Sequence, residues 1–260
     1  MPELIEVEQY RLAASATVGR SIVGIDVPDR SYLKRGLTPN AARAAVLDRR
    51  VVGVGRHGKV MWLELDDQTT LAMRFGMTGR IVVDGVAPIT QLLYSASPDQ
   101  PTHERFAVDF AGGGRLAMVD PRRLGGVEVS PDLTGLGVDA ASVTAAELTA
   151  AIAGARASVK AALLDQHRIA GVGNLIADET LWRARIDPGR SAADLSGVER
   201  RRLATELRST IRLLTRRGGS HTGDLQEQRR RRGVCPRCGT ELLRRALGGR
   251  TTFSCPEEQR

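Results

Sequence analysis

Residues 170–179 read Ala170-Gly171-Val172-Gly173-Asn174-Leu175-Ile176-Ala177-Asp178-Glu179, a glycine-rich turn running straight into a helix. Asn174 is suited to cap that helix. The amides at its start are ready phosphate donors, and glycine lets a backbone come close. Capping alone would account for such a turn, so its surroundings decide its weight. A helix is expected on one side from about Ser158 to Gln166, and the helix after the turn runs to about Arg185. Thr144 with Glu147 and Ser196 with Glu199 have capping-box spacing, and Gly218-Gly219 stops the helix that the second box starts. From Pro131 the chain is therefore helical. Beyond it, residues 218–234 read as a basic polar loop containing Arg229 to Arg232. From Cys235 the pattern is a β-hairpin turning at Gly248-Gly249.

Upstream of Pro131 the character is different. A helix is expected over 3–15, with Leu4, Val7, Ala14 and Val18 at helical spacing. Strand-like segments follow at Ser21–Val27, Val51–Val54, Val60–Leu65, Leu71–Phe75 and Arg80–Val83. Phe106, Val108 and Phe110 alternate, and Gly112-Gly113-Gly114 turns the chain into Leu116 and Met118. One helix interrupts them, capped by Thr38 with Pro39 in its first turn. The fold class is α+β, with an N-terminal β-sandwich and flanking helices ahead of a helical domain. The expected divisions are 1–130, 131–228 and 229–260.

The 260 residues carry 38 Lys and Arg against 30 Asp and Glu, a formal charge of +8. That excess favours a polyanion, nucleic acid first. Aromatics at 3% argue against a surface that grips single strands by stacking. Three cysteines make no complete disulfide framework. No apolar run is long enough to cross a bilayer, and acidic residues occupy the N-terminus where a signal peptide would be basic. A cytoplasmic, nucleoid-associated place is expected.

Met1-Pro2-Glu3 is a context in which the initiator methionine is removed, exposing a secondary amine on a ring. Model α-amino groups titrate at about 7.7–8.0, so a neutral fraction exists near pH 7. Such an amine attacking a sugar C1′ gives an iminium that cannot shed its charge from nitrogen and so acts as an electron sink. Glu3 is placed to act as an acid, with Glu6 one turn further on. Taken alone, both carboxylates are better explained as complements to the positive end of a helix dipole.

Met1-Pro2-Glu3-Leu4-Ile5-Glu6-Val7-Glu8 resembles the start of the formamidopyrimidine-DNA glycosylase and endonuclease VIII (Fpg/Nei) family. Four further motifs are similar, in the family's order: Arg56-His57-Gly58-Lys59, Phe75-Gly76-Met77-Thr78-Gly79, Asp120-Pro121-Arg122-Arg123-Leu124-Gly125-Gly126, and the 170–179 stretch. The resemblance implies a helix–two-turn–helix domain ending in a zinc-finger-like hairpin, and a monomer acting on double-stranded DNA with damaged bases or abasic sites. It implies a bifunctional glycosylase and lyase of base excision repair, with Pro2, Glu3, Glu6, Lys59 and Arg250 in the chemistry. Met77, His103, Arg122, Leu124, Arg156, Lys160 and Asn174 would contact DNA. Zinc is the implied metal, on Cys235, Cys238 and Cys255, but Glu258 stands where a fourth Cys is expected. A metal-free hairpin is the alternative.

Three other departures matter. Ile5 and Leu124 stand where Fpg-type members usually have Pro and Phe. The stretch between Gly219 and Cys235 is shorter than in members that cover 8-oxoguanine with a long loop, which argues against that lesion. A non-catalytic damaged-DNA-binding protein on the same scaffold is the alternative function.

Overall fold

The computed structural model describes residues 2–89 and 101–260. Contacts divide them into two units, one of Pro2 with Glu6–Leu133 and one of Glu3–Ile5 with Thr134–Arg260. Among the described residues no helix is long and apolar enough to cross a membrane.

The first unit contains most of α1 (Leu4–Ala14), then β1 (Ile22–Asp26), α2 (Pro39–Val46), β2 (Val51–His57), β3 (Val60–Leu65), β4 (Thr70–Arg74) and β5 (Arg80–Val83). It continues with β6 (Glu104–Phe110), β7 (Arg115–Val119) and β8 (Gly126–Val129). Two four-stranded sheets form, ordered β1-β6-β7-β5 and β2-β3-β4-β8, and every pairing in them is antiparallel. Alternation sends Phe106, Val108 and Phe110 of one sheet and Met61, Leu63 and Leu65 of the other into one buried core, as two facing sheets require. Thr38 caps α2 with Pro39 in its first turn, as its sequence indicates. Val18 departs from the expected pattern. It lies past the end of α1 and is 46% exposed, because the chain has already left the helix for a short 3₁₀ turn. Strand β8 had no sequence expectation. Its Gly-Gly start offers no β propensity, and pairing with β4 alone makes it a strand.

The second unit contains β9 (Val138–Asp139), α3 (Ala145–Ile152), α4 (Val159–Leu164), β10 (Ile169–Ala170), α5 (Asn174–Arg183) and α6 (Gly197–Arg216). It ends in the hairpin of β11 (Leu243–Leu247) and β12 (Arg250–Ser254). Both capping boxes are formed, at Thr144–Glu147 and Ser196–Glu199. Leu148, Leu163, Ile176, Leu181, Leu207 and Leu214 share one buried core.

Lys160, expected among the DNA contacts, is fully buried. Lys160 Nζ lies 2.6 Å from Asp178 Oδ1 and donates to Thr252 Oγ1 at 2.7 Å and to the Thr251 carbonyl at 3.3 Å. Burial pushes its ammonium below the ordinary lysine value, with Asp178 opposing. Asp178 is also buried, pairs with Arg229 and accepts from the Phe253 amide at 3.3 Å. A lysine with no surface cannot touch DNA in this arrangement. It neutralises a buried carboxylate and ties α4 and α5 to β12. Removing one partner of a buried ion pair strands the other charge. Lys160→Ala is accordingly expected to lower the unfolding free energy by about 3–5 kcal/mol in urea titrations, and a loss below about 1 kcal/mol would contradict this assignment.

Candidate active site and nucleic-acid interface

The N-terminal residues are held by hydrogen bonds spanning some 170 positions of sequence. Glu3 is 1% exposed, and its carboxylate accepts from the amides of Gly173 (3.0 Å), Leu175 (2.8 Å) and Ile176 (3.1 Å). The Leu4 amide donates to the Gly171 carbonyl at 3.1 Å. A helix start leaves its first amides without internal partners, and here one carboxylate from elsewhere in the chain supplies them. Gly173 is required beneath it, since a Cβ there would lie 2.2 Å from Glu3 Cδ.

This arrangement corrects two expectations. Asn174 does not cap α5; Gly173 occupies that position without a side-chain cap. The amides of residues 173, 175 and 176 are already engaged by Glu3, leaving them no lone donor for phosphate. Asn174 instead donates from Nδ2 to the Thr251 carbonyl at 3.1 Å, while its Oδ1 is buried without a hydrogen-bond partner.

Pro2, the neighbour of Glu3 in the chain, is buried. The expected loss of Met1 concerns a residue outside those described. Glu6 is 2% exposed in the first turn of α1, near enough to the buried Tyr10 hydroxyl that burial and the Glu6 charge together raise its pKa. Lys59 is half-buried in the two-residue connection between β2 and β3, after Gly58 at φ +57°. Glycine in the first position of so tight a hairpin is the ordinary solution. Arg56 of the same hairpin donates to Glu8 at 2.9 Å, beside the Arg11–Glu8 bridge at 2.8 Å.

Two loops of the first unit meet around Asp120, which is fully buried. Its Oδ1 accepts from Thr78 Oγ1 (2.6 Å) and the Arg122 amide (3.2 Å). Its Oδ2 accepts from the Gly125 amide (2.8 Å) and Tyr32 Oη (3.4 Å). The loops touch directly as well: a Cβ on Gly76, at φ +55°, would sit 2.5 Å from the Leu124 carbonyl carbon. Arg123 Nε reaches Asp29 Oδ2 at 2.6 Å, and that guanidinium holds the Asp29 carboxyl down at about 2. A depressed carboxyl stabilises above its unfolded pKa and stops doing so as pH falls through about 2, so this clamp is intact at any physiological pH.

Of the expected DNA contacts, this brings together Met77, half-buried, with Arg122 and Leu124, both exposed. Leu124 is 53% exposed at a loop tip, and Arg122 has no ion pair among the described residues. His103 is half-buried just before β6; its carbonyl accepts from the Asp120 amide at 2.9 Å, and its Nδ1 has no hydrogen-bond partner. Arg156 is exposed ahead of α4, and Arg250 is exposed where β12 leaves the hairpin turn. The organising residues Asp120, Thr78, Tyr32 and Asp178 had no assigned role from sequence. An aspartate opening a Pro-Arg-Arg-Leu-Gly-Gly loop was the available sign.

The sulfurs of Cys235, Cys238 and Cys255 lie within 4.8 Å of one another, Cys238 to Cys255 at 3.5 Å. Tetrahedral zinc at about 2.3 Å from sulfur needs edges of roughly 3.8 Å, so the thiols suit three corners of such a site. Glu258 does not supply the fourth. Its Oε2 faces Arg185 at 3.4 Å and Arg237 at 3.8 Å, and no described His, Cys, Asp or Glu joins the three thiols. Two nearby arginines outcompete a thiol cluster for a carboxylate. Burial pushes the Cys255 thiol up to about 11.

Residues 1–127 match the model of the formamidopyrimidine-DNA glycosylase N-terminal domain, and residues 136–225 that of the formamidopyrimidine-DNA glycosylase H2TH domain. The chain is 33% identical to the formamidopyrimidine-DNA glycosylase of Roseiflexus sp. (strain RS-1), covering all of both. It is 32% identical to that of Acidothermus cellulolyticus, covering 98% of this chain and 96% of the relative. Its fold is similar to solved structures of Lactococcus lactis Fpg. One is a complex with abasic-site DNA, at TM-score 0.83 and 23% identity over 99% of each chain. Another is described as LlFpg with a THF-DNA and an inhibitor, at TM-score 0.84 and 24% identity over 100% of each chain.

Because Asp120 is the common acceptor for four donors, Asp120→Ala leaves buried groups unsatisfied in both loops. The expected loss is about 3 kcal/mol or more in chemical denaturation, with faster amide exchange at Arg122 and Gly125. Unchanged exchange at those amides would refute its role as the organiser.

Proposed function

This chain belongs to the formamidopyrimidine-DNA glycosylase family, DNA glycosylases of base excision repair, and from that premise we propose that it uses Pro2 as a nucleophile and nicks the strand it repairs. The Pro2 nitrogen attacks C1′ of a damaged nucleotide, the base departs, and a positively charged iminium remains. That cation acidifies the C2′–H bond: the proton passes to solvent, its electron pair forms the C2′=C3′ bond, and the C3′–O bond breaks to release the 3′ phosphate. The substrate is duplex DNA bearing an oxidised base or an abasic site, and the working form is a monomer.

What supports this reading is the juxtaposition at the N-terminus. Pro2 directly precedes a carboxylate that three helix amides hold in one place. A reacting group gains most when its position is settled before substrate arrives. Glu3 serves the cationic intermediate as a counter-charge; it takes the proton that the Pro2 nitrogen sheds on bonding to C1′ and passes it to the ring oxygen as the C1′–O4′ bond breaks. Glu6 stands one helical turn away. Lys59 supplies an ammonium from a rigid hairpin tip, toward phosphate or leaving base. Met77 and Leu124 are the apolar wedges that offset unstacking of a flipped nucleotide, and Arg122 enters beside them. His103, Arg156 and Asn174 contact the phosphate backbone, and Arg250 assists elimination from the hairpin turn. The short stretch from Gly219 to Cys235 favours ring-opened purines, oxidised pyrimidines or abasic sites over 8-oxoguanine.

A zinc ion would be held by Cys235, Cys238 and Cys255, and its role would be to fasten the root of the hairpin.

Borohydride added to the protein with lesion-bearing duplexes should trap a covalent adduct, and Pro2→Ala or a retained Met1 should abolish it. Duplex binding without an adduct on any lesion would identify a non-catalytic binder instead. For the metal, a colorimetric chelator should release stoichiometric zinc from the native protein and none from Cys238→Ser. Native protein that yields no zinc to the chelator would point to the metal-free hairpin.

A further inference from the structure

The run Arg229-Arg230-Arg231-Arg232 is divided by the fold. Arg229 turns inward, pairs with Asp178 and lies over the Phe253 ring at 5.4 Å. The three that follow turn outward and are exposed. A tight turn keeps them so. The Arg230 amide donates to the Gln228 carbonyl at 2.7 Å, and a Cβ on Gly233 would lie 1.8 Å from that same oxygen. Val234 donates to Gln228 Oε1 at 3.1 Å, and Leu242 donates to the Gly233 carbonyl at 2.8 Å, which seats the turn on the hairpin root.

Arg244 joins them from β11. Its neighbour Arg245 points to the other face and bonds Asp187 at 2.6 Å, so strand alternation directs Arg244 outward. Arg230, Arg231, Arg232 and Arg244 line one groove of about 440 Å³, floored by Leu242 with Glu241 at its rim. None of the four guanidiniums has an ion pair or side-chain hydrogen bond among the described residues. A floppy basic run would be a solvated surface. Four arginines converging on one concavity, on a braced turn with a single acid beside them, are instead a site with uncompensated positive charge.

We infer that this groove is a phosphate-binding site for the DNA duplex flanking the lesion, separate from the contacts that surround the damaged nucleotide. Guanidiniums meet phosphate oxygens in bidentate fashion, and four in one groove suit a continuous polyanion. Position supports the choice of partner. Arg244 lies three residues along β11 from Leu247, the partner of Arg250, about 10 Å at strand rise. With base pairs spaced by about 3.4 Å, that corresponds to roughly three steps from whatever Arg250 engages.

The inference rests on the glycosylase reading, and its test separates the two. Affinity for a duplex with a stable abasic analogue is measured across salt concentration and across flank lengths, for wild type and for R230A/R231A/R232A/R244A. R201A/R202A/R212A/R216A, on exposed positions of α6, removes equal charge elsewhere. The groove variant should keep its thermal midpoint while its log–log salt slope falls by about two to three. Wild type should weaken to the level of that variant when one flank is cut to about three base pairs, and the α6 variant should retain wild-type flank dependence. A slope unchanged in the groove variant, or an equal drop in the α6 variant, overturns the site. Failure of wild type to form a borohydride adduct would instead overturn the glycosylase reading and leave the flank measurement standing by itself.

Discussion

A carboxylate offering two oxygens and a helix offering unpaired amides meet at Glu3 and residues 173–176. Both groups are buried, and each would cost free energy without the other. The pairing needs no side chain at 173, which is why the turn carries glycine there. It also ties Glu3 to the start of α5: the residue that caps the helix is the covalent neighbour of Pro2. The same constraint redirects the reading of the glycine-rich turn. Its amides are structural donors, and Asn174 donates to the Thr251 carbonyl of the hairpin.

The first unit repeats the logic with Asp120. Loops 75–79 and 120–126 bear an exposed leucine, an exposed arginine and a half-buried methionine, none of which would hold a loop in shape. Asp120 does so from below, with Thr78 and the Arg122 amide on one oxygen and Gly125 and Tyr32 on the other. Arg123 and Asp29 fasten the outer edge. Leu124 and Arg122 can then be presented to solvent without the loops collapsing onto the core.

In the second unit the charge excess is sorted by burial. Lys160 and Arg229 face inward and neutralise Asp178, joining α4, α5 and β12. Arg230, Arg231, Arg232 and Arg244 face outward. One stretch of four arginines therefore contributes both to the hairpin's foundation and to its basic surface. The hairpin root is further packed by Trp182, whose indole donates to Cys235 Sγ at 3.4 Å with Arg237 stacked 3.9 Å above its ring.

Much was legible in the sequence because it depends on near neighbours. Strand alternation, the Thr38, Thr144 and Ser196 caps, the glycine turns and the order of the five motifs are local patterns, and the family and the α+β class follow from them. What only the tertiary structure decided involves partners far apart in the chain. Glu3 capping α5, Asp120 gathering two loops, Lys160 vanishing into an ion pair and Glu258 turning to arginines all have locally plausible alternatives. A lysine between apolar helix positions looks the same whether it meets solvent or Asp178. Local sequence dictates periodicity and turn chemistry, whereas the fate of a charge is settled by which distant group the fold brings within hydrogen-bond reach.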